Sequence, residues 1–166
     1  MTDAPAPPAA LIRTAADADG PGLAALIAGI FQDYPDCPFL PEEFPELAAP
    51  ASHYAGRGGA LWVAEADGAV VGSLAVTPSW RAGETELFKV YLARSWRGRG
   101  IAQELLARAL AFSRERGAHR VGLWSDTRFV EGHRFYRRTG FLQKPGARAL
   151  HDTGRTLEYR FERELG

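Results

Sequence analysis

A strand, a basic turn with two glycines and an apolar helix follow one another without a break in the stretch VYLARSWRGRGIA, residues 90–102. A strand that enters a helix through a glycine-rich turn leaves backbone N–H groups at the helix N-terminus without intrahelical acceptors. Arg94, Arg97 and Arg99 add positive charge to the same turn. The stretch therefore predicts a preformed anion site, suited to a phosphate or pyrophosphate of a ligand.

Length and composition limit what this stretch can belong to. The 166 residues, 46% of them hydrophobic, suffice for one domain with a sizeable core. Twenty basic residues balance twenty acidic ones, so we expect no general attraction to nucleic acid or to an anionic membrane. The lone cysteine, Cys37, excludes an internal disulfide and a multi-cysteine zinc site, and no metal is expected.

No signal peptide and no apolar run of about 20 residues is visible. We therefore expect a cytoplasmic protein. Residues 1–10, rich in Ala and Pro, are expected to form a flexible tail, and residues 11–166 a single domain.

Apolar spacing predicts the elements that precede the basic turn. After a short first strand, apolar positions three and four apart predict a helix between Asp17 and Pro35. Asp67 and Gly68 join two strands in a hairpin, and a second turn ending at Gly83 returns the chain as ETELFKVYL. These three strands are expected to be antiparallel. The proline-rich segment 33–50 is expected to be a loop with short helical turns.

The elements after the turn alternate between helix and strand. A helix is predicted from about Gly100 to Arg116, and RVGLWS is predicted to run parallel to ETELFKVYL through a right-handed crossover. FVEGHRFYRRT predicts another helix, which ends at Gly140. After a short strand and a polar loop, TLEYRFERE predicts a final strand.

Two common phosphate-binding motifs are absent. The chain has no G-x-x-x-x-G-K-[ST], and Gln103 stands where a dinucleotide fingerprint has its third glycine. What remains is R-x-x-G-x-A, from Arg97 to Ala102, between a strand and a helix. Because this pattern is short, its context decides its meaning.

Two separated segments resemble one known family. VYLARSWRGRGIAQELLARAL is similar to the acyl-CoA-binding signature of the GNAT superfamily of N-acetyltransferases, and HRFYRRTGF resembles that superfamily's late helix-to-strand signature. The order of elements from Leu11 to Glu164 also resembles that fold. The resemblance implies an α/β (α+β) domain with a mixed, mainly antiparallel central sheet, splayed parallel strands and helices on both faces. It also implies transfer of an acetyl group from acetyl-CoA to an amine.

The same resemblance implies which residues hold acetyl-CoA. The backbones of Val90 and Leu92 would bind the pantetheine arm in the manner of an added strand. The pyrophosphate would lie at the turn and the helix start, where these positions match the motif: Arg97, Gly98, Arg99, Gly100 and Ala102. The alternative for the two arginines is a solvated basic turn.

Acyl transfer to an amine needs a base for the ammonium proton and an acid for the leaving thiolate. Tyr136 matches the tyrosine that often lies near the CoA sulfur in this family, so it is the expected acid; its alternative role is core packing. Glu86 resembles an acidic residue of many relatives and is the expected base, with a solvated glutamate as the alternative. Direct transfer is expected because no residue stands out as a covalent acyl carrier.

The acceptor site is expected between the proline-rich segment and the strand ends. Four side chains are assigned to substrate binding: Tyr34, Phe39, Trp80 and Asp126. An aromatic, acidic wall favours a small cationic amine, with a protein amine as the other acceptor class. Helix capping is the alternative role for Asp126. His133 is either an accessory residue or a packed helix residue.

A protein of another class fits the same residues, namely a CoA-binding sensor or interaction module that kept the fold without the chemistry. A blocked acceptor cleft would distinguish it. RNA binding by the basic turn would need a wider basic surface than this neutral chain provides. The sequence leaves open the identity of the amine, the length of the acyl group and the oligomeric state, a homodimer included.

Overall fold

The computed structural model describes residues 9–166, so the tail prediction for residues 1–8 lies outside the described part of the chain. Within that part the strands are β1 (Leu11–Thr14), β2 (Ala60–Ala66), β3 (Ala69–Pro78), β4 (Glu84–Leu92), β5 (Arg120–Asp126), β6 (Leu142–Gln143), β7 (Arg148–Ala149) and β8 (Leu157–Glu164). The α-helices are α1 (Gly20–Phe31), α2 (Pro50–Gly56), α3 (Ile101–Glu115) and α4 (Val130–Arg138).

The strands form one sheet in the order β1-β2-β3-β4-β5-β8-β6, with β7 paired to β8. Every strand pair is antiparallel except β4 and β5, which pair in parallel only over Glu84–Leu87 and Arg120–Leu123. Beyond these residues β4 continues to Leu92 and β5 to Asp126 without pairing to each other. The predicted mixed, mainly antiparallel sheet with splayed parallel strands is therefore confirmed.

A bulge in β4 accompanies the splay. The register between β3 and β4 shifts between Ser73 and Ala75, and Lys89 has a φ of 52°. The Ser73 hydroxyl donates a 2.6 Å hydrogen bond to the carbonyl oxygen of Lys89. A bulge bends its strand and increases the local twist. This bend carries the second half of β4 away from β5 and leaves one edge of that half without a partner strand.

The alternation of side chains along the central strands explains why helices cover both faces. On β3, Leu74 and Val76 belong to the core that includes Leu105 of α3. Ala75, between them, packs in the cluster that holds Leu23 of α1. The predicted helices on both faces of the sheet are thus confirmed.

Two short elements were not predicted. Helix α2 begins with Pro50, which is a favourable first helical residue because its missing N–H would have no acceptor there. Strand β7 lies inside the predicted polar loop and pairs through Arg148 and Ala149 with β8.

In residues 9–166, no helix combines the length and the apolar character that crossing a lipid bilayer requires.

Candidate functional site

Two clefts open where β4 and β5 diverge. The turn cleft, about 440 Å³, lies between β4, the basic turn, α3 and α4. The acidic cleft, about 330 Å³, lies between β4, β5, the proline-rich segment and the chain from β7 to β8. Both clefts are lined by Val90, Tyr91, Ser125, Phe129 and Tyr136. Two molecules bound one in each cleft would therefore meet at this junction.

The turn cleft is lined by part of the turn that is predicted to bind an anion. Gly98 and Gly100 have φ values of 76° and 79°, so the chain passes through the left-handed region just before α3. Gly100 is the N-cap of α3, and no side chain caps the helix. Apart from the Glu104 N–H, which donates to the Gly100 carbonyl oxygen at 3.1 Å, the N–H groups of the first turn of α3 lack intrahelical and side-chain acceptors, which is the condition for binding an anion.

Most of the residues assigned to the cofactor line this cleft. Its wall includes Val90, Leu92, Arg97, Gly98 and Ala102. Arg99 and Gly100 are not part of that wall. The Arg99 guanidinium instead lies 4.4 Å from the centre of the Trp96 ring.

An ion pair spans the turn cleft. Nη1 of Arg97 contacts Oε2 of Glu131, which lies in the first turn of α4. Tyr34 lines the same cleft, and burial raises the pKa of its hydroxyl. The Glu131 carboxylate is therefore bound to the guanidinium group of Arg97, which the sequence assigns to an anionic ligand.

Tyr136 projects from α4 into the junction between the clefts. Its ring packs against Phe141 and Phe161, with centroid distances of 5.8 and 5.4 Å. Only 5% of the residue is exposed, and this burial raises the pKa of the phenol well above its ordinary value. No described residue forms a hydrogen bond with its hydroxyl. The hydroxyl is thus protonated, unpartnered within residues 9–166 and accessible to both clefts.

Glu86 lines the acidic cleft and not the turn cleft. Its Oε1 accepts a 2.7 Å hydrogen bond from Nη1 of Arg160 on β8, and its side chain is 20% exposed. The structure therefore brings the expected base and the expected acid to the same cavity.

Six carboxylates and three cations surround the acidic cleft. The acidic residues are Glu43, Glu46, Glu86, Asp126, Asp152 and Glu158, and the basic residues are Lys89, Arg128 and Arg148. The cations are paired with cleft carboxylates, at 2.6 Å for Lys89 and Glu46, 2.7 Å for Arg128 and Asp126, and 2.8 Å for Arg148 and Glu158. Burial raises the pKa of Glu158. The wall carries more negative than positive groups, which favours a cationic ligand.

The residues assigned to the acceptor are dispersed. Asp126 lines the acidic cleft, but its Oδ1 also accepts the backbone N–H of Arg128 at 2.9 Å and so holds the turn after β5. Tyr34 lies on the turn cleft. The Phe39 ring packs 5.1 Å from that of Phe44, within the aromatic cluster beside the acidic cleft.

Trp80 is brought to neither cleft. It lies in the turn between β3 and β4, and 87% of its surface is exposed. This turn precedes Glu84, and Trp80 is part of neither the turn-cleft wall nor the acidic-cleft wall.

Several residues that line the acidic cleft were not predicted from the sequence. Ser125 precedes Asp126 at the end of a predicted strand, and that position alone was a signal. Arg148 and Glu158 have no local signal, because they reach the cleft only through the pairing of β7 with β8.

His133 is buried, and its Nε2 lies 3.0 Å from the Asp126 carbonyl oxygen and 3.2 Å from Ser125 Oγ. Burial lowers the pKa of this imidazole.

Among residues 9–166, no group of three or more His, Cys, Asp or Glu side chains is arranged to hold a metal ion.

Comparison with known proteins gives one family. Residues 27–141 match the family described as Acetyltransferase (GNAT) family. The chain is 29% identical over 141 residues to the uncharacterized N-acetyltransferase YjgM of Escherichia coli, covering 82% of this chain and 84% of that protein. An uncharacterized N-acetyltransferase of Methanocaldococcus jannaschii is 30% identical over 89 residues, which are 51% of this chain and 39% of that protein. The chain spans under half the length of this and similar curated relatives.

Solved structures share the architecture. An acetyltransferase of the GNAT family from Staphylococcus aureus superposes with a TM-score of 0.80 at 19% identity, covering 95% of this chain and 100% of that one. A putative acetyltransferase from Salmonella typhimurium, solved with its cofactor acetyl-CoA, gives a TM-score of 0.71 at 18% identity and covers 95% of each chain. At these identities the likeness concerns the fold.

Proposed function

Because the chain belongs to the GNAT family of acetyltransferases, we propose that it transfers the acetyl group of acetyl-CoA directly to a small cationic primary amine. The observation that carries this proposal is the junction of the two clefts. The turn cleft has the features of an anion site, the acidic cleft has the charge for an ammonium group, and Tyr136 lines both.

The turn cleft suits the chemical groups of CoA. The pantetheine arm is rich in amides, and the unpaired edge of β4 from Val90 to Leu92 offers backbone groups to bind them. The uncapped start of α3 offers N–H groups to a pyrophosphate. Arg97, Gly98, Arg99, Gly100 and Ala102 are the residues that we assign to this phosphate site. Acetyl-CoA would supply a thioester whose acetyl carbon can be attacked by an amine.

The reaction requires three proton transfers at the junction: two protons leave the amine nitrogen and one reaches the sulfur. We assign to Glu86 the removal of the proton that makes the ammonium group unreactive, directly or through a water molecule. We assign to Tyr136 the donation of its hydroxyl proton to the sulfur as the carbon–sulfur bond breaks and the carbon–nitrogen bond forms. The second proton that leaves the nitrogen would restore the phenol. Isolation of an acetylated enzyme formed in the absence of amine would contradict direct transfer.

The acidic cleft supports a cationic acceptor. Its volume of about 330 Å³ suits a small molecule, and its wall has twice as many carboxylates as cations. Tyr91 and Phe129 are aromatic residues of the wall, and an aromatic face attracts a desolvated cation. Because this cleft is open and contains Glu86, a transferase is favoured over a CoA-binding sensor.

The decisive experiment is a panel of amines assayed for release of free thiol from acetyl-CoA. Amines that carry a second positive charge are expected to give kcat/KM at least about 10-fold higher than amines of similar size with a carboxylate, because the latter would be repelled by the wall. CoA binding is measured separately by calorimetry. Binding of CoA without thiol release from any amine would support the sensor and contradict the enzyme.

The ion pair between Arg97 and Glu131 predicts an effect on cofactor affinity. Glu131→Gln is expected to lower the Kd for CoA by up to about fivefold, because an exposed pair is worth about 0.2–1 kcal/mol and this carboxylate competes with the pyrophosphate for Arg97. Calorimetric titration with CoA measures the change.

The control for that variant is Glu104→Gln. Glu104 also lies in the first turn of a helix that borders the cleft, but its ion-pair partner is Arg108 at 4.0 Å. If both variants changed affinity equally, the effect would come from net charge and not from release of Arg97.

A further inference from the structure

A buried arginine binds three carboxylates beneath the acidic cleft. Arg160 of β8 is 9% exposed. Its Nη1 donates to Glu86 at 2.7 Å, its Nε donates to Glu162 at 3.4 Å, and its Nη2 donates to Glu84. The Trp124 ring lies 5.4 Å from the guanidinium carbon. Every nitrogen of the planar fork is thus engaged, which fixes the orientation of the guanidinium.

Glu84 holds this arginine from the buried side. Its side chain is only 1% exposed, and its Oε2 is a buried atom without a hydrogen-bond partner among residues 9–166. Its other cationic neighbour, Arg81, is 3.9 Å away. Burying a carboxylate with one oxygen unpartnered costs free energy of folding. A contribution to stability is therefore a poor explanation of this arrangement.

The sheet leaves space for the guanidinium at one position. A Cβ on Gly122 of β5 would lie 2.0 Å from Nη2 of Arg160 and 2.7 Å from Oε1 of Glu84. Gly122 lies inside a strand, without the positive φ that makes glycine necessary for backbone reasons. Glycine weakens a strand interior. Its presence here is explained by the room that the arginine needs.

We propose that Arg160 is a positioning residue for Glu86. It binds Oε1, and Oε2 has no hydrogen-bond partner among the described residues, so the fork sets the direction in which the second oxygen meets the ammonium group. Glu86 lies on β4 and Arg160 lies on β8. The Arg160 side chain therefore crosses β5, the strand between them, to bind Glu86. This inference rests on the proposed role of Glu86 as the base.

Two variants disturb the fork in different ways. Arg160→Lys keeps the charge but cannot bind three carboxylates in one plane. Gly122→Ala keeps the arginine but displaces its guanidinium group, together with the end of the Glu84 side chain that binds it. Each is expected to lower kcat about 10-fold to 100-fold, the scale of a small misplacement of a catalytic group, while the Kd for CoA changes less than about twofold.

Matched controls separate positioning from general damage. Arg163→Lys changes an arginine on the same strand that donates to the Thr139 carbonyl oxygen, and Gly29→Ala adds a methyl group where nothing lies within 4 Å. Both controls are expected to retain wild-type kcat. Thermal unfolding of each variant shows whether it is folded. If Arg160→Lys does not fold, the kcat of Gly122→Ala tests the positioning role.

The double variants distinguish the possible outcomes. In a Glu86→Gln background, Arg160→Lys and Gly122→Ala are expected to cause no further loss of kcat, because the group that they position is gone. An equal loss in both backgrounds, or unchanged kcat in the single variants, would overturn the positioning role and leave the base assigned. Full activity of Glu86→Gln itself would overturn the base and the positioning role together.

Discussion

Replacement of Tyr136 by Phe is expected to lower kcat for acetyl transfer about 100-fold, because general acid catalysis contributes at least that factor. The ring packs against Phe141 and Phe161, and the change removes one oxygen without disturbing these contacts. No described residue bonds to that oxygen, so folding should be unaffected. Steady-state kinetics with a saturating amine measures kcat, and calorimetry is expected to show an unchanged Kd for CoA.

The pKa of Tyr136 determines the sign of the pH dependence. Burial raises this pKa, so the protonated form that can donate persists to higher pH than in an exposed tyrosine. The rate of the wild-type enzyme is therefore not expected to fall through loss of this donor below about pH 10. An alkaline limb near pH 8 that disappears in Tyr136→Phe would contradict the assignment.

Tyr54→Phe is the matched control for Tyr136→Phe. Tyr54 is also buried, at 3% exposure, and burial raises its pKa as well, but it lies in α2 and lines neither cleft. The same chemical change there should leave kcat at the wild-type value. Equal losses in both variants would show that the effect comes from packing.

Gly98→Val is expected to weaken CoA binding about 100-fold. Gly98 has a φ of 76°, where a β-branched residue is strained, and no atom lies within 4 Å of a Cβ placed there. The new side chain would project into the space that we assign to the pyrophosphate, and the strain would shift the N–H groups of the turn. Calorimetric titration with CoA measures the loss.

Gly117→Val provides the comparison at the opposite end of α3. Gly117 has a φ of 74° and equally open surroundings, so the backbone strain is similar. Both variants are expected to lose similar stability in urea unfolding, and only Gly98→Val should lose affinity for CoA. Similar affinity losses in the two variants would argue against a phosphate site in the turn.

The parts of the site that are continuous in sequence were predictable. A strand, a glycine-rich turn and a helix form the proposed anion site through local backbone geometry, and β4, the turn and α3 occur where the pattern indicated. The splay was expected only from the family resemblance. Its physical cause, the bulge at Lys89 held by Ser73, has no sequence signal, because it depends on pairing with β3.

The acidic cleft was predictable only in outline. An acidic, aromatic acceptor site was expected, but its wall comes from segments as far apart as Glu43 and Glu158. Trp80 illustrates the difficulty: it is near Glu86 in sequence, yet its side chain is exposed in the turn before β4 and lines neither cleft. Helix α2 was missed because the prolines around it suggested a loop, although Pro50 is compatible with a helix start.

By itself, the sequence determined the longer elements, their order and the turn before α3, because each depends on neighbouring residues through apolar periodicity, glycine geometry and helix ends. The tertiary structure decided which charges meet. Arg160 and Glu86 are 74 residues apart and come together only because β8 lies beside β5 and Gly122 leaves room between them. Contacts between distant residues follow from strand order and register, which local patterns do not specify.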